Sequence, residues 1–356
     1  MLIAKKGTET VMSIYANKNN DYYCPICLSK VILKECKNKV NHFSHFSNSD
    51  CPNLHENESS EHIKGKLQIL KFINNKNTKM EYYIPCIKQR PDLINKNIAF
   101  EFQCSPISSE RLKERIAGYK KINIHSLWIL GSNYLKHFGN INTNKFFYYS
   151  KNLGFYIMFW SLNNYLELRY NCLDIDGVIK YKTHFFNNFN ELINFMNTNT
   201  VNYNYFLSFN SLKHQYDSLR SKIKYKNKNV LYFQEYCYLR GENIEGVPIV
   251  NDLKRYSYPI FNNNYFFIKI VILINLKNGI YISDLFKIYC LHVKKYCNFP
   301  LIKDISIFYK IDFKRYIIIL KNNDYIKITH GKIFLLRSIF WFSDYFDRLS
   351  FLTKNK

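Results

Sequence analysis

The sequence predicts a multidomain chain of the α+β or α/β class. A small Cys- and His-rich module (residues 1–55) precedes a core ordered helix, three strands, helix, strand (56–150), and a mixed, largely helical C-terminal region (151–356) follows. Three observations predict this. A length of 356 residues with 47% hydrophobic and 17% aromatic content supplies material for two or three buried cores. Metal-ligand residue types bunch between Cys24 and Cys51. From Asn57 to Gly131 the apolar period switches from helical to alternating and back.

So apolar a chain offsets its conformational entropy, which excludes global disorder. No apolar run reaches the roughly 18–20 residues that span a bilayer, and the richest stretch, Tyr265 to Leu276, is interrupted by Lys269. Met1 to Lys6 has its charges after its few apolar residues and no hydrophobic core, unlike a secretory signal, so a cytoplasmic location is expected. Lys and Arg number 51 against 27 Asp and Glu, a formal charge of +24 that suits nucleic acid or an anionic surface. An A/T-biased composition also produces lysine, however, and arginine, the better phosphate fork, supplies ten of the 51.

In the first module, Cys24-Pro25-Ile26-Cys27 forms a C-x-x-C knuckle, a turn that brings two sulfurs to one ion. His42, His45 and Cys51 arrive within about thirty residues. Zn²⁺ takes four N or S ligands, and Cys24, Cys27, His45 and Cys51 are the expected set, with His42 as substitute. So small a module has little core of its own, and a structural Zn²⁺ would contribute to its folding.

The core opens with a helix of about Glu58 to Asn74, whose Ile63, Leu67, Leu70 and Ile73 form the buried stripe. Glu58, His62 and Lys66 make an i, i+4, i+8 row beside it, with Glu61 on the opposite side. A strand is expected over Met80 to Ile87. Two further runs, Gln89 to Ile94 and Ile98 to Cys104, flank the turn Asn95-Lys96-Asn97. With Lys96 and Asn97 as the loop, Asn95 faces Ile98, and Asp92 comes opposite Glu101. Like charges so paired repel, so either the register differs from this or a cation compensates them. Alternation puts Ala99, Glu101 and Gln103 on one face and Ile98, Phe100, Phe102 and Cys104 on the other. The carboxylate pair suits Mg²⁺. A helix from Ser108 to about Lys121 follows, capped by Ser108 or Ser109 and carrying Arg111 and Arg115. A strand from Ile124 to Gly131 closes the core.

This order, with Asp92 and Glu101-Phe102-Gln103, resembles the PD-(D/E)xK restriction-endonuclease-like superfamily, Gln103 standing where that motif has lysine. The ordered set Cys24-Pro25-Ile26-Cys27, His42-Phe43-Ser44-His45, Glu58-Ser59 with His62, Phe100 to Pro106, Gly118-Tyr119 and Trp128 to Gly131 is similar to the competence protein CoiA family. Tyr148-Tyr149-Ser150 and Leu153 to Tyr156 continue the likeness. The resemblance implies a restriction-endonuclease-like αβββαβ core and a cytoplasmic protein acting on incoming DNA in natural transformation and recombination. It further implies Mg²⁺ or Mn²⁺ held by Asp92, Glu101 and the Phe102 carbonyl, with Glu58 completing the shell and Gln103 orienting water or phosphate. An amide neither carries charge nor takes a proton, so Lys66 or His62 would assist. Arg90, Arg111, Arg115 and Lys66 would hold DNA, single-stranded or branched. A non-catalytic scaffold for DNA or a recombinase is the alternative, and an immunity nuclease against foreign DNA would use the same site.

In the C-terminal region, Leu212, Tyr216, Leu219 and Ile223 mark a helix ending in a lysine run. Tyr265 to Leu276, Ile305 to Tyr309 and Tyr316 to Leu320 are expected as strands or short buried helices. Asp174-Ile175-Asp176-Gly177 lacks the other ligands of a calcium loop and is read as a turn.

Overall fold

The computed structural model describes residues 1–36, 39–46, 51 and 58–354. In chain order the first elements are β1 (Ile3–Lys6), β2 (Glu9–Met12), β3 (Tyr22–Tyr23), β4 (Lys30–Cys36) and β5 (Lys39–His45), which form an antiparallel sheet ordered β2-β1-β3-β4-β5. Its core is small: Ala4, Tyr22, Val31, Leu33 and Phe43 close around Cys24 and Cys51.

Helix α1 (Ser60–Ile73) starts where the Ser59 hydroxyl accepts from the His62 amide, and it ends on Asn74 at φ 45°. Next come β6 (Lys79–Met80), β7 (Leu93–Asn95), β8 (Ile98–Gln103), α2 (Ser109–Lys121) and β9 (His125–Leu130). The order is thus helix, three strands, helix, strand. The expected strand over Met80 to Ile87 is cut to β6 because Glu81 turns to φ 50° and Pro85 opens a short 3₁₀ helix. The hairpin register is as expected, with Asn95 opposite Ile98 and Lys96 taking φ 49° in the loop. Strand β8 then pairs in parallel with β9, and Ser108 caps α2 by accepting from the Arg111 amide.

The chain continues through α3 (Ser132–Lys136), α4 (Ile141–Asn144), β10 (Tyr148–Ser150), β11 (Gly154–Ser161), β12 (Tyr165–Ile175), β13 (Val178–Phe186) and α5 (Phe189–Thr198). Compactness divides it into two units. The first holds Met1–Phe138, Lys145–Tyr170 and Thr183–Val201. In it β11, β9, β8, β7 and β6 are successive neighbours in one sheet, and β10 pairs with β11. The expected boundary at residue 150 therefore falls beside a sheet that β11 carries on, and the boundary at 55 lies outside the described residues. Both faces of β8 are covered. Phe100, Phe102 and Cys104 enter the core under α1, whereas Ala99 packs with Tyr119 and Ile84. Gly65 allows the close approach of α1, since a Cβ there would lie 2.1 Å from the Phe102 ring.

The second unit holds Gly139–Asn144, Asn171–Lys182 and Asn202–Lys356. Its elements are α6 (Phe209–Lys224), α7 (Lys228–Tyr238), β14 (Tyr256–Ser257), α8 (Tyr265–Ile274), β15 (Ile280–Tyr281), α9 (Ile282–Val293), α10 (Ser306–Asn322), β16 (Ile326–Thr329), β17 (Lys332–Leu335) and α11 (Tyr345–Lys354). The Ile305 to Tyr309 and Tyr316 to Leu320 stretches prove to be one helix, α10. Asp176 and Gly177, at φ 51° and 82°, make the expected turn between β12 and β13.

Candidate functional site

The knuckle forms locally. Cys24 donates its N–H to the Ser29 carbonyl at 2.8 Å, and the Ile26 N–H donates to the Cys24 sulfur at 3.4 Å. Strand β4 leads into β5, whose last residue, His45, comes within 3.4 Å of Cys27 Sγ through Nε2; Cys24 and Cys51 sulfurs lie 4.0 Å apart. One ligand atom from each of Cys24, Cys27, His45 and Cys51 lies within 4.8 Å of every other, a set that could hold a metal ion. Burial acts to raise the Cys27 thiol, but hydrogen bonds from Ser29 and the neighbours His45 and Cys24 bring it down to about 6, toward the thiolate that binds metal. His42 is outside the set, three positions earlier on a strand of period two and so on the other face; its Nδ1 lies 3.2 Å from the Val40 carbonyl.

A second set, Glu58, His62 and Asp92, satisfies the same distance test. Helix α1 carries His62 toward Asp92 just before β7, and Glu58, expected as the helix's first residue, precedes the Ser59 cap and meets them from outside the helix. His62 Nε2 lies 3.1 Å from Asp92 Oδ2, and its Nδ1 lies 3.8 Å from Glu58. Lys66, fully buried, donates to Glu58 at 2.6 Å and to Glu81, with Asp92 at 3.8 Å. The Phe102 N–H donates to Asp92 Oδ2 at 2.8 Å. Burial alone would neutralise these groups, and the electrostatics oppose it. Against burial, Lys66, the Met1 amino group and His62 hold Glu58 at about 2, and His62, Lys66 and the Phe102 amide hold Asp92 well below the carboxylate range. The Asp92 charge outweighs burial at His62 and raises it, and the surrounding carboxylates raise Lys66 in the same way. Glu58 Oε2 is buried and forms an ion pair with the Met1 amino group at 3.4 Å.

Glu101 belongs to a different network. Arg115 donates to it, to the Arg90 carbonyl at 3.1 Å and to the Tyr119 hydroxyl at 3.2 Å, and the Tyr119 hydroxyl also donates to Glu101. Burial exceeds the Arg115 attraction, and the nearby Asp92 charge adds to it, so Glu101 is pushed up to about 7. The repulsion expected across the hairpin is thus relieved by separate protein cations, from α1 for Asp92 and from α2 for Glu101.

These contacts place the other expected site residues. Arg115 is 8% exposed and points inward, because α2 lies over the Glu101 face of β8; it is not presented to a DNA backbone. Lys66 is likewise enclosed by carboxylates rather than open to substrate. Phe102 meets Asp92 through its N–H. Gln103 donates to the Ser105 carbonyl at 2.7 Å, closing the turn after β8. Arg90 lies 4.0 Å from Glu81. Arg111 is exposed and pairs with Glu114 at 2.8 Å. Two residues escaped sequence reasoning. Glu81 left no signal but a lone acid in a run read as strand. Tyr119, at i+4 from Arg115, shares its helix face, a spacing that could have joined it to Glu101.

The chain matches two family models: "Competence protein CoiA, N-terminal domain" over residues 5–54 and "Competence protein CoiA, nuclease-like domain" over residues 58–171. It is 32% identical over 125 residues to "Competence protein CoiA" of Bacillus subtilis (strain 168), the match covering 33% of this chain and 34% of that relative. The match thus spans about a third of the relative's length. No solved structure matches the chain.

Proposed function

The chain belongs to the competence protein CoiA family, with that family's N-terminal and nuclease-like domains in order, and from this premise we propose that it is a Mg²⁺- or Mn²⁺-dependent DNA nuclease acting on incoming DNA during natural transformation and recombination. The observation that carries the reading is the Glu58–His62–Asp92 set. Two carboxylates kept ionised despite burial fit a hard divalent cation, and the imidazole suits Mn²⁺ better than Mg²⁺. A bound ion would polarise the phosphate and lower the pKa of its water.

The protein's own groups would do the rest. Asp92 and Glu58 would orient the ion, and Glu101 would join them on release from Arg115. His62, beside Asp92, would join them as a neutral imidazole ligand, its proton displaced by the ion. Lys66 would hold the carboxylates in place. Gln103, if turned from Ser105, would position water, and Arg90 and Arg111 would steady the backbone of single-stranded or branched DNA. In the first module, Cys24, Cys27, His45 and Cys51 would hold a structural Zn²⁺. Among the described residues no helix is long and apolar enough to cross a membrane.

A second reading, a non-catalytic scaffold binding DNA or a recombination protein, is favoured by two contacts. Lys66 already neutralises the carboxylates, and Gln103 is tied to Ser105. The deciding experiment is a cleavage assay with Mg²⁺ or Mn²⁺ on single-stranded, duplex and branched DNA, with Mn²⁺ binding followed by electron paramagnetic resonance. Cleavage and Mn²⁺ binding, both lost in Asp92→Ala, support the nuclease. A wild-type protein that binds DNA but neither cleaves it nor binds Mn²⁺ leaves the scaffold.

A further inference from the structure

In the second unit the order α8, β15, α9, α10, β16, β17, with the sheet arranged β15-β17-β16, is that of a winged-helix module. Helix α10 packs through one side, and Arg315 and Ile318 on its flank border a cavity that Tyr203, Tyr205, Tyr256 and Tyr258 also line. Phe313 packs against Tyr289 and Phe286 of α9 in tilted contacts at ring distances of 5.1 Å, while Phe308, Tyr316, Ile317 and Leu320 are also buried. The helix's one carboxylate, Asp312, is turned inward too and is bonded to the buried Lys254.

What remains outside is a row of cations and aliphatic side chains at helical spacing: Ile307, Lys310, Lys314, Arg315, Ile318 and Lys321, all exposed. None of the four cations has a carboxylate partner among the described residues, whereas Arg255 and Arg348 of the same unit are paired with Asp176 and Asp252. The acids flanking the helix are already engaged. Asp304 accepts from the Ser306 amide and hydroxyl, and Asp324 lies 3.8 Å from Arg337. The hairpin that follows adds Lys327 and Lys332 around a tip at His330-Gly331.

We infer that α10 and the β16–β17 hairpin form a docking surface for duplex DNA, with α10 entering the major groove and the hairpin lying against the flanking backbone. A helix fits that groove, lysines neutralise phosphates, and Ile307 and Ile318 are chemically suited to thymine methyl groups. One departure from the compact helix-turn-helix is the connection from Val293 to Ser306, twelve residues (294–305) rather than a tight turn of about three or four. The inference shares with the proposed function the premise that the protein handles DNA, but it does not require cleavage.

The test is fluorescence-anisotropy binding of full-length protein to a labelled duplex and to its single strand, in EDTA so that hydrolysis plays no part. The triple variant Lys310→Ala, Lys314→Ala, Lys321→Ala should lose duplex affinity on the order of 100-fold at 0.1 M salt and flatten the salt slope by about 2–3. A control removing three exposed lysines of the first unit, Lys120→Ala, Lys121→Ala, Lys136→Ala, should lose much less. All the substituted residues are on the surface, and circular dichroism checks that each variant is folded. Equal losses in both variants, or tighter binding of wild type to the single strand, would overturn the inference. Cleavage lost in Asp92→Ala with duplex binding intact would separate this surface from the α1 site.

Discussion

Replacing Lys66 with Met removes the ammonium that Glu58, Glu81 and Asp92 share while keeping an unbranched side chain of similar length. Removing one partner from a buried ionic network is destabilising by about 3–5 kcal/mol, because the remaining charges are left uncompensated. An independent route gives a similar size. Glu58 falls from an ordinary 4.5 to about 2, chiefly through Lys66 acting against burial, and that fall corresponds to about 3 kcal/mol. Its sign fixes the pH dependence. A carboxylate depressed in the folded state contributes stability that is present above 4.5 and is lost as pH falls toward 2. Lys66→Met should therefore be most harmful at neutral pH and less so below about pH 4, where the bereft carboxylates protonate. Hydrogen exchange reads the change locally: at pH 7 the amides of Ile69 to Phe72 should exchange at least about 100-fold faster than in wild type. Mn²⁺ should also bind more tightly, since the competing ammonium is gone. Unchanged protection of α1 at pH 7, or weaker Mn²⁺ binding, would refute the view that Lys66 stands in for a metal's charge.

Four further outcomes are expected. Asp92→Asn should lower the His62 pKa, followed by imidazole NMR; in wild type the His62 contribution to stability is present below its unfolded value and lost as pH rises through its raised folded value. Glu101→Gln should keep Mn²⁺ binding if Arg115 and Tyr119 retain Glu101, and lose it if Glu101 is a ligand; either result is read by electron paramagnetic resonance. His45→Ala should reduce bound zinc, measured by mass spectrometry, and raise exchange across residues 1–36 and 39–46, whereas His42→Ala should do neither. Gly65→Ala should lower stability by about 1–3 kcal/mol, seen as a lower thermal midpoint of the first unit, because the Phe102 ring must shift to admit the methyl group.

Local pattern made much of this legible. The spacing from Cys24 to Cys51 marked the ligands that come together, and strand period explains why His45 and not His42 joins them. Helical spacing brought His62 and Lys66 to one edge of α1, with Glu58 reaching them from just before the Ser59 cap rather than from the helix, and the Asn95-Lys96-Asn97 turn set the hairpin register. These features depend on neighbours within a few residues, where backbone geometry leaves little choice. What failed was the assignment of partners. A period shows which side chains share a face but not what the face meets.

The sequence by itself carried the likeness to the CoiA family, the Cys and His residues that come together, the order of elements from α1 to β9 and the positive charge. Tertiary structure alone decided that Lys66 is a buried shared cation with Glu81 as a second acceptor, that Arg115 turns inward onto Glu101, and that α10 is one helix with its carboxylate inside and its lysines outside. The physical reason is common to all three. The free energy of a charge depends on burial and on which opposite charges lie within a few ångströms, and those distances are set by elements packing together from distant parts of the chain.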